Sequence, residues 1–71
     1  MTETTLFFLY KAKKKHIDTG EELAERMGIS YPTLSKRMKD PKKFTIEDLL
    51  RLEYLTGITV AEVIDMAKEK G

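Results

Sequence analysis

Three times in this chain a threonine stands three residues ahead of an acid, just before an apolar periodic stretch: Thr19 with Glu22, Thr45 with Asp48, and Thr59 with Glu62. In each pair the hydroxyl can accept from an orphan backbone N–H one turn on, and the carboxylate can reach back to the threonine N–H. The acid also gains from the positive end of the helix dipole. One such box is weak evidence. Three in 71 residues, 26 and 14 positions apart, point to an all-α chain.

The apolar spacing fills in the helices. Leu23, Ala24 and Met27 follow Thr19 on one side, and Gly28 stands where a helix C-terminus favours glycine. Ser30 caps the next helix, with Pro32 in its first turn, where a missing N–H costs little. Leu34 and Met38 face inward together, and Asp40-Pro41 ends that helix. After Thr45, the expected inward set is Ile46, Leu49, Leu50, Leu52 and Leu55, closed by Gly57. After Thr59 it is Val60, Val63, Ile64 and Ala67.

The first segment reads two ways. Thr5 to Tyr10 is β-branched and aromatic enough for a strand, whereas Lys11 to Lys15 favours helix. With four helices around it and no strand partner visible, residues 4–15 are read as helix, for a five-helix fold. Phe7, Phe8, Tyr10, Phe44 and Tyr54 are expected in the core. Leu6 to Tyr10 is nevertheless too apolar for one buried stripe, so Phe7, Phe8 or Tyr10 should face outward or meet a partner.

Composition excludes several functions. The length suits one domain, residues 1–71, with a core that needs helix packing, dimerisation or a ligand for stability. Cysteine is absent, which removes disulfides, thiolate zinc sites and a cysteine nucleophile. The single histidine, His16, reads as a surface or capping residue, and no metal or cofactor is expected. The longest apolar run, Leu6 to Tyr10, is too short for a membrane span or a secretory leader, so a cytoplasmic protein is expected. Glu21-Glu22 and Glu47-Asp48 lie in first helical turns, and neighbouring helix residues do not converge on a substrate, so no enzyme is expected.

The net charge of +1 hides a pattern. Residues 1–30 are neutral overall, and residues 44–71 carry −3. Between them, residues 31–43 carry Lys36, Arg37, Lys39, Lys42 and Lys43 against Asp40, a net +4. Lys11 and Lys13 to Lys15 form a second basic cluster, for which a solvated helix end is the ordinary explanation. Local basic patches on a near-neutral chain suit directed binding to a polyanion. The +4 stretch also falls on the second helix of a helix, Gly-turn, helix unit over residues 19–39. In such a unit the second helix can project and enter the major groove.

The run Leu23-Ala24-Glu25-Arg26-Met27-Gly28-Ile29-Ser30, followed by Thr33-Leu34-Ser35, resembles the helix-turn-helix of Cro and the phage repressors, the XRE-like family. Asp40 to Leu49 is similar to the loop and fourth helix of short phage and prophage members, and Gly57 to Ile64 to the family's fifth helix. The resemblance implies a five-helix, lambda-repressor-like domain that binds duplex DNA, commonly as a homodimer on a palindromic operator, to regulate transcription. It places Tyr31, Pro32, Ser35 and Lys36 toward bases. Thr19, Ser30 and Lys43 would lie toward phosphate. By charge and position Arg37, Lys39 and Lys42 are expected to reach the backbone beside them, and Gly20 through its N–H. It also favours the fifth helix, with Val60, Val63, Ile64 and Met66, as a dimer surface, the first segment being the other candidate.

Three departures stand out. Gly20 occupies the position where the family commonly has a phosphate-binding Gln, so only its backbone can serve. Lys13 and Met38 stand where many members pair Arg with Glu. Tyr31 and Pro32 are also unusual base readers, since neither makes a bidentate pairing. These features leave an alternative: a protein-interaction module on the same fold, binding an antirepressor or toxin. With 71 residues and no room for a sensor domain, control is expected to come from concentration, dimerisation and operator competition.

Overall fold

The computed structural model describes residues 3–70. Helix α1 spans Glu3–Lys14, α2 Gly20–Met27 and α3 Tyr31–Lys39; a 3-10 turn covers Pro41–Lys43; α4 spans Ile46–Thr56 and α5 Val60–Lys70. Among the described residues there are five α-helices and no strand. The strand alternative for the first segment therefore falls. Burial in α1 follows the helical repeat, with Phe8 and Ala12 facing the core four residues apart.

The capping chemistry is largely as the spacing predicts. At α4 the reciprocal box closes: Thr45 Oγ1 accepts from the Asp48 N–H at 3.1 Å, and Asp48 Oδ2 accepts from the Thr45 N–H at 3.0 Å. At α5, Thr59 and Glu62 exchange the same pair of bonds at 3.2 and 3.0 Å. At α2 only half the box forms. Thr19 Oγ1 accepts from the Glu22 N–H, but Glu22 reaches past Thr19 to the Asp18 N–H at 3.3 Å and also pairs with Arg26 one turn on.

Helix ends are equally explicit. Gly28 takes the left-handed conformation at φ 75°, donating to Glu25 while Ile29 donates to Ala24. This double closure is a Schellman turn, and it creates the short link between α2 and α3. His16 plays the same part after α1 at φ 68°, with the Ile17 N–H returning to the Ala12 carbonyl at 3.0 Å. It is exposed, as a capping histidine should be.

The core joins all five helices. Phe8, Leu23, Met27, Leu34, Met38, Leu52 and Ile58 are fully enclosed, and Phe8 meets Phe44 edge-on with ring centroids 5.3 Å apart. Ile29, Phe44 and Ile58 each precede a cap residue, with Leu34, Leu49 and Val63 at the matching position inside the helix. These are hydrophobic-staple positions, which carry the turns into the core and set helix entry angles.

Five expected inward residues face outward. Tyr10 is 58% exposed and Tyr54 89%, while Ile46 and Leu50 are 77% and 60% exposed. In α4 the cause is Asp48. Its capping box turns the Asp48, Leu52, Thr56 stripe inward, and residues two positions away lie about 200° around the helix. In α5, Val63 is buried but Ile64 is largely exposed. In α1, Tyr10 lies outside the Phe8–Ala12 face, which meets the expectation that an aromatic in that run would point outward.

Candidate nucleic-acid interface

Helix α3 has two chemically distinct sides. Leu34 and Met38 are fully buried, and they hold the helix from behind. Pro32, Lys36 and Lys39 are exposed, with Thr33, Ser35 and Arg37 at the boundary. Lys42 and Lys43 continue the exposed basic surface on the 3-10 turn. Lys36, Lys39, Lys42 and Lys43 have no carboxylate within salt-bridge distance among the described residues. Their charge faces solvent.

The helix start is built by Ser30. Its hydroxyl accepts from the Thr33 N–H at 3.4 Å and donates to the Thr33 hydroxyl at 2.9 Å. Pro32 fits the first turn because its N–H would have no intrahelical acceptor there. Thr19 lies exposed at the start of α2. Gly20 is buried beside the Tyr31 ring: a Cβ there would lie only 2.6 Å from Tyr31 Cε1. Tyr31 is therefore half-buried against the domain body, packed on the core edge.

Arg37 also has an internal partner. Its guanidinium lies 2.5 Å from Asp48 Oδ2, with the Asp48 side chain only 6% exposed. One carboxylate thus caps α4 and ties it to the last turn of α3. The ion pair absent between Lys13 and Met38 has a counterpart one residue away, directed to a different helix. Arg51 from α4 donates to the Met27 carbonyl at the end of α2 and pairs with Glu47 at 3.5 Å. The sequence marks Asp48 only as a capping acid of α4, and no local rule points to Arg51, because both cross-helix partners, Arg37 and the Met27 carbonyl, lie far away in the chain. Together Asp48 and Arg51 clamp α4 onto both helices of the helix-turn-helix.

The second lysine cluster behaves differently. Lys11 lies over the Phe7 ring at 5.6 Å and Lys14 over the Tyr10 ring at 5.2 Å. Both lysines thus lie along aromatic faces of their own helix. No set of described His, Cys, Asp and Glu residues is arranged to hold a metal.

Two short helices across a glycine turn, the second with a buried seam and a cationic outer side, form a helix-turn-helix in space. A family model described as helix-turn-helix matches residues 9–63. The chain belongs to this helix-turn-helix family, of the Cro and repressor type. The match covers 55 of the 71 residues, from the second half of α1 to the buried Val63 of α5. Searches of curated proteins and of solved structures found no match. Helix-turn-helix proteins of this type are DNA-binding regulators. No helix among the described residues is long and apolar enough to cross a membrane.

Proposed function

We propose that this helix-turn-helix protein is a sequence-specific transcriptional regulator, acting as a homodimer on a palindromic operator in the manner of short phage or prophage repressors. The observation that carries this reading is the division of α3. Leu34 and Met38 fix it to the core, while Pro32, Lys36 and Lys39 project and run into Lys42 and Lys43. A helix so mounted can enter the major groove while flanking cations neutralise phosphates.

In this reading Lys36 reaches a guanine edge, and Pro32 lies against a thymine methyl. Ser35 stands beside them. Tyr31 serves at the groove wall, where its hydroxyl can meet phosphate while its ring stays on Gly20. Lys39, Lys42 and Lys43 supply the main backbone contacts. Arg37 adds a contact through guanidinium N–H groups not used by Asp48. Thr19, Ser30 and the Gly20 backbone contribute at two helix starts, where unpaired N–H groups favour an anion.

The test is selection from a random-duplex pool at roughly physiological salt, followed by sequencing of the retained DNA. An inverted repeat with half-sites about one helical turn apart is the expected result. Retention without enrichment would reduce the reading to backbone binding. No retention even at low salt would sink it and favour the protein-interaction module.

A further inference from the structure

Helix α4 has a second apolar side. Ile46, Leu50 and Tyr54 recur every four residues, are 77%, 60% and 89% exposed, and take no part in the core. Together they expose on the order of 400 Å² of largely apolar surface, as much as the largest patch on many monomers. By contrast, the expected dimer helix α5 has Val63 buried and Val60, Met66 and Ala67 half-buried, leaving Ile64 as its large exposed apolar side chain.

We propose that this α4 face docks a second copy of the same chain, the two α4 helices running antiparallel about a two-fold axis at Leu50. The charges flanking the stripe suit this arrangement. Glu47 and Arg51 lie along one edge of the stripe, paired at 3.5 Å and open to solvent. At about 1.5 Å rise per residue, Glu47 stands ~4.5 Å on one side of Leu50 and Arg51 ~1.5 Å on the other. A two-fold axis perpendicular to α4 returns the same edge to the same side with its direction reversed. Each Glu47 then comes level, within ~3 Å along the axis, with Arg51 of the second copy.

The same operation places Ile46 opposite Tyr54 of the second copy and Leu50 against its own counterpart. On the Glu47–Arg51 side of the stripe an open groove of about 410 Å³, lined by Arg26, Glu47, Leu50, Arg51, Tyr54 and Leu55, faces the same edge of the second copy. Counting both copies and a polar rim, the contact reaches roughly 1,200 Å², the lower end of specific interfaces. The inference rests on the self-association part of the proposed function, and not on DNA being the ligand.

Sedimentation velocity from about 1 µM to about 1 mM measures the dimer. Tyr54→Glu and Leu50→Glu should weaken it ~30-fold or more with unchanged helical circular dichroism, whereas Ile64→Glu should leave it intact. Because the chain has no cysteine, a Leu50→Cys variant reports on the axis alone. Mild oxidation should convert it to a covalent dimer far faster than a Glu25→Cys control. A protein that stays monomeric throughout would overturn this inference and the dimeric operator reading together. A dimer that survives Tyr54→Glu but dissociates in Ile64→Glu, or a Leu50→Cys variant that cross-links no faster than the control, would overturn the α4 face alone. Loss of DNA binding by a dimer with these properties would overturn only the DNA reading.

Discussion

Gly20 and Tyr31 occupy one another's space: the ring of Tyr31 lies where a side chain on Gly20 would begin, 2.6 Å from the Cβ position. The two residues sit at the first positions of the two helices of the helix-turn-helix. Gly20→Ala should therefore cost about 1–2 kcal/mol through overpacking, despite alanine's better helix propensity. In a Tyr31→Ala background the same change should become neutral or stabilising. A double-mutant cycle by urea denaturation reads the difference directly, and additive effects would show that the ring moves aside freely.

Asp48 has two tasks, closing the α4 cap and holding Arg37. Asp48→Ala should cost about 2–3 kcal/mol, the cap contributing roughly 1 and the partly buried pair the rest. Arg37 retains 26% exposure, which places its share toward the low end for ion pairs. For a domain of this size, that corresponds to a fall in Tm of about 10 °C or more by calorimetry. Asp48→Asn, which keeps a cap acceptor, should recover part of the loss.

Under the proposed function, Lys36 reads a base and Lys43 holds the backbone, and two substitutions separate these roles. Lys43→Ala should weaken all duplexes similarly and lower the salt slope of binding by about one unit. Lys36→Ala should in addition relax preference at one base position, at a cost of about 1–3 kcal/mol for the preferred site. Fluorescence anisotropy with matched and single-substituted duplexes over a salt series measures both. Equal loss on every duplex would make Lys36 a phosphate contact.

Acid should weaken the fifth helix's start. The Glu62 carboxyl is held below its usual 4.5, first because the Thr59 N–H donates to it. Desolvation opposes this, while the Thr59 hydroxyl and the Lys11 charge add to it. A carboxylate whose folded-state pKa is depressed stabilises the fold above its unfolded pKa. That contribution is lost as pH falls from about 4.5 through the lower folded value. Glu62→Gln should accordingly show a smaller drop in urea midpoint between neutral pH and about pH 3 than the parent chain. An unchanged drop would remove Glu62 from the acid sensitivity.

Caps and turns were legible in the sequence because their chemistry is local. Thr45-x-x-Asp48, Gly28 and Ser30 each announce a hydrogen bond that closes within one helical turn. The helix-turn-helix followed from them, with the inward pair Leu34 and Met38. What could not be read was the rotation of each helix about its axis. In α4, leucines at 49, 50, 52 and 55 surround the helix, and periodicity alone does not say which side wins. The decision came from a polar residue, Asp48, whose second partner Arg37 lies eleven positions away on another helix. The Gly20–Tyr31 contact was equally hidden, since no local rule joins two departures that lie eleven positions apart across the turn.

Because α3 is held from behind, by Leu34, Met38 and Arg37, its outward residues contribute little to folding. Residues 32, 36 and 39 can be exchanged at small thermodynamic cost, since exposed substitutions away from caps usually shift stability by about 0.5 kcal/mol or less. If α3 reads DNA as proposed, the domain is a chassis with an interchangeable reading edge. A lineage carrying it could drift from one target site to another through folded intermediates, and a library randomised at those positions should yield new specificities without loss of soluble protein.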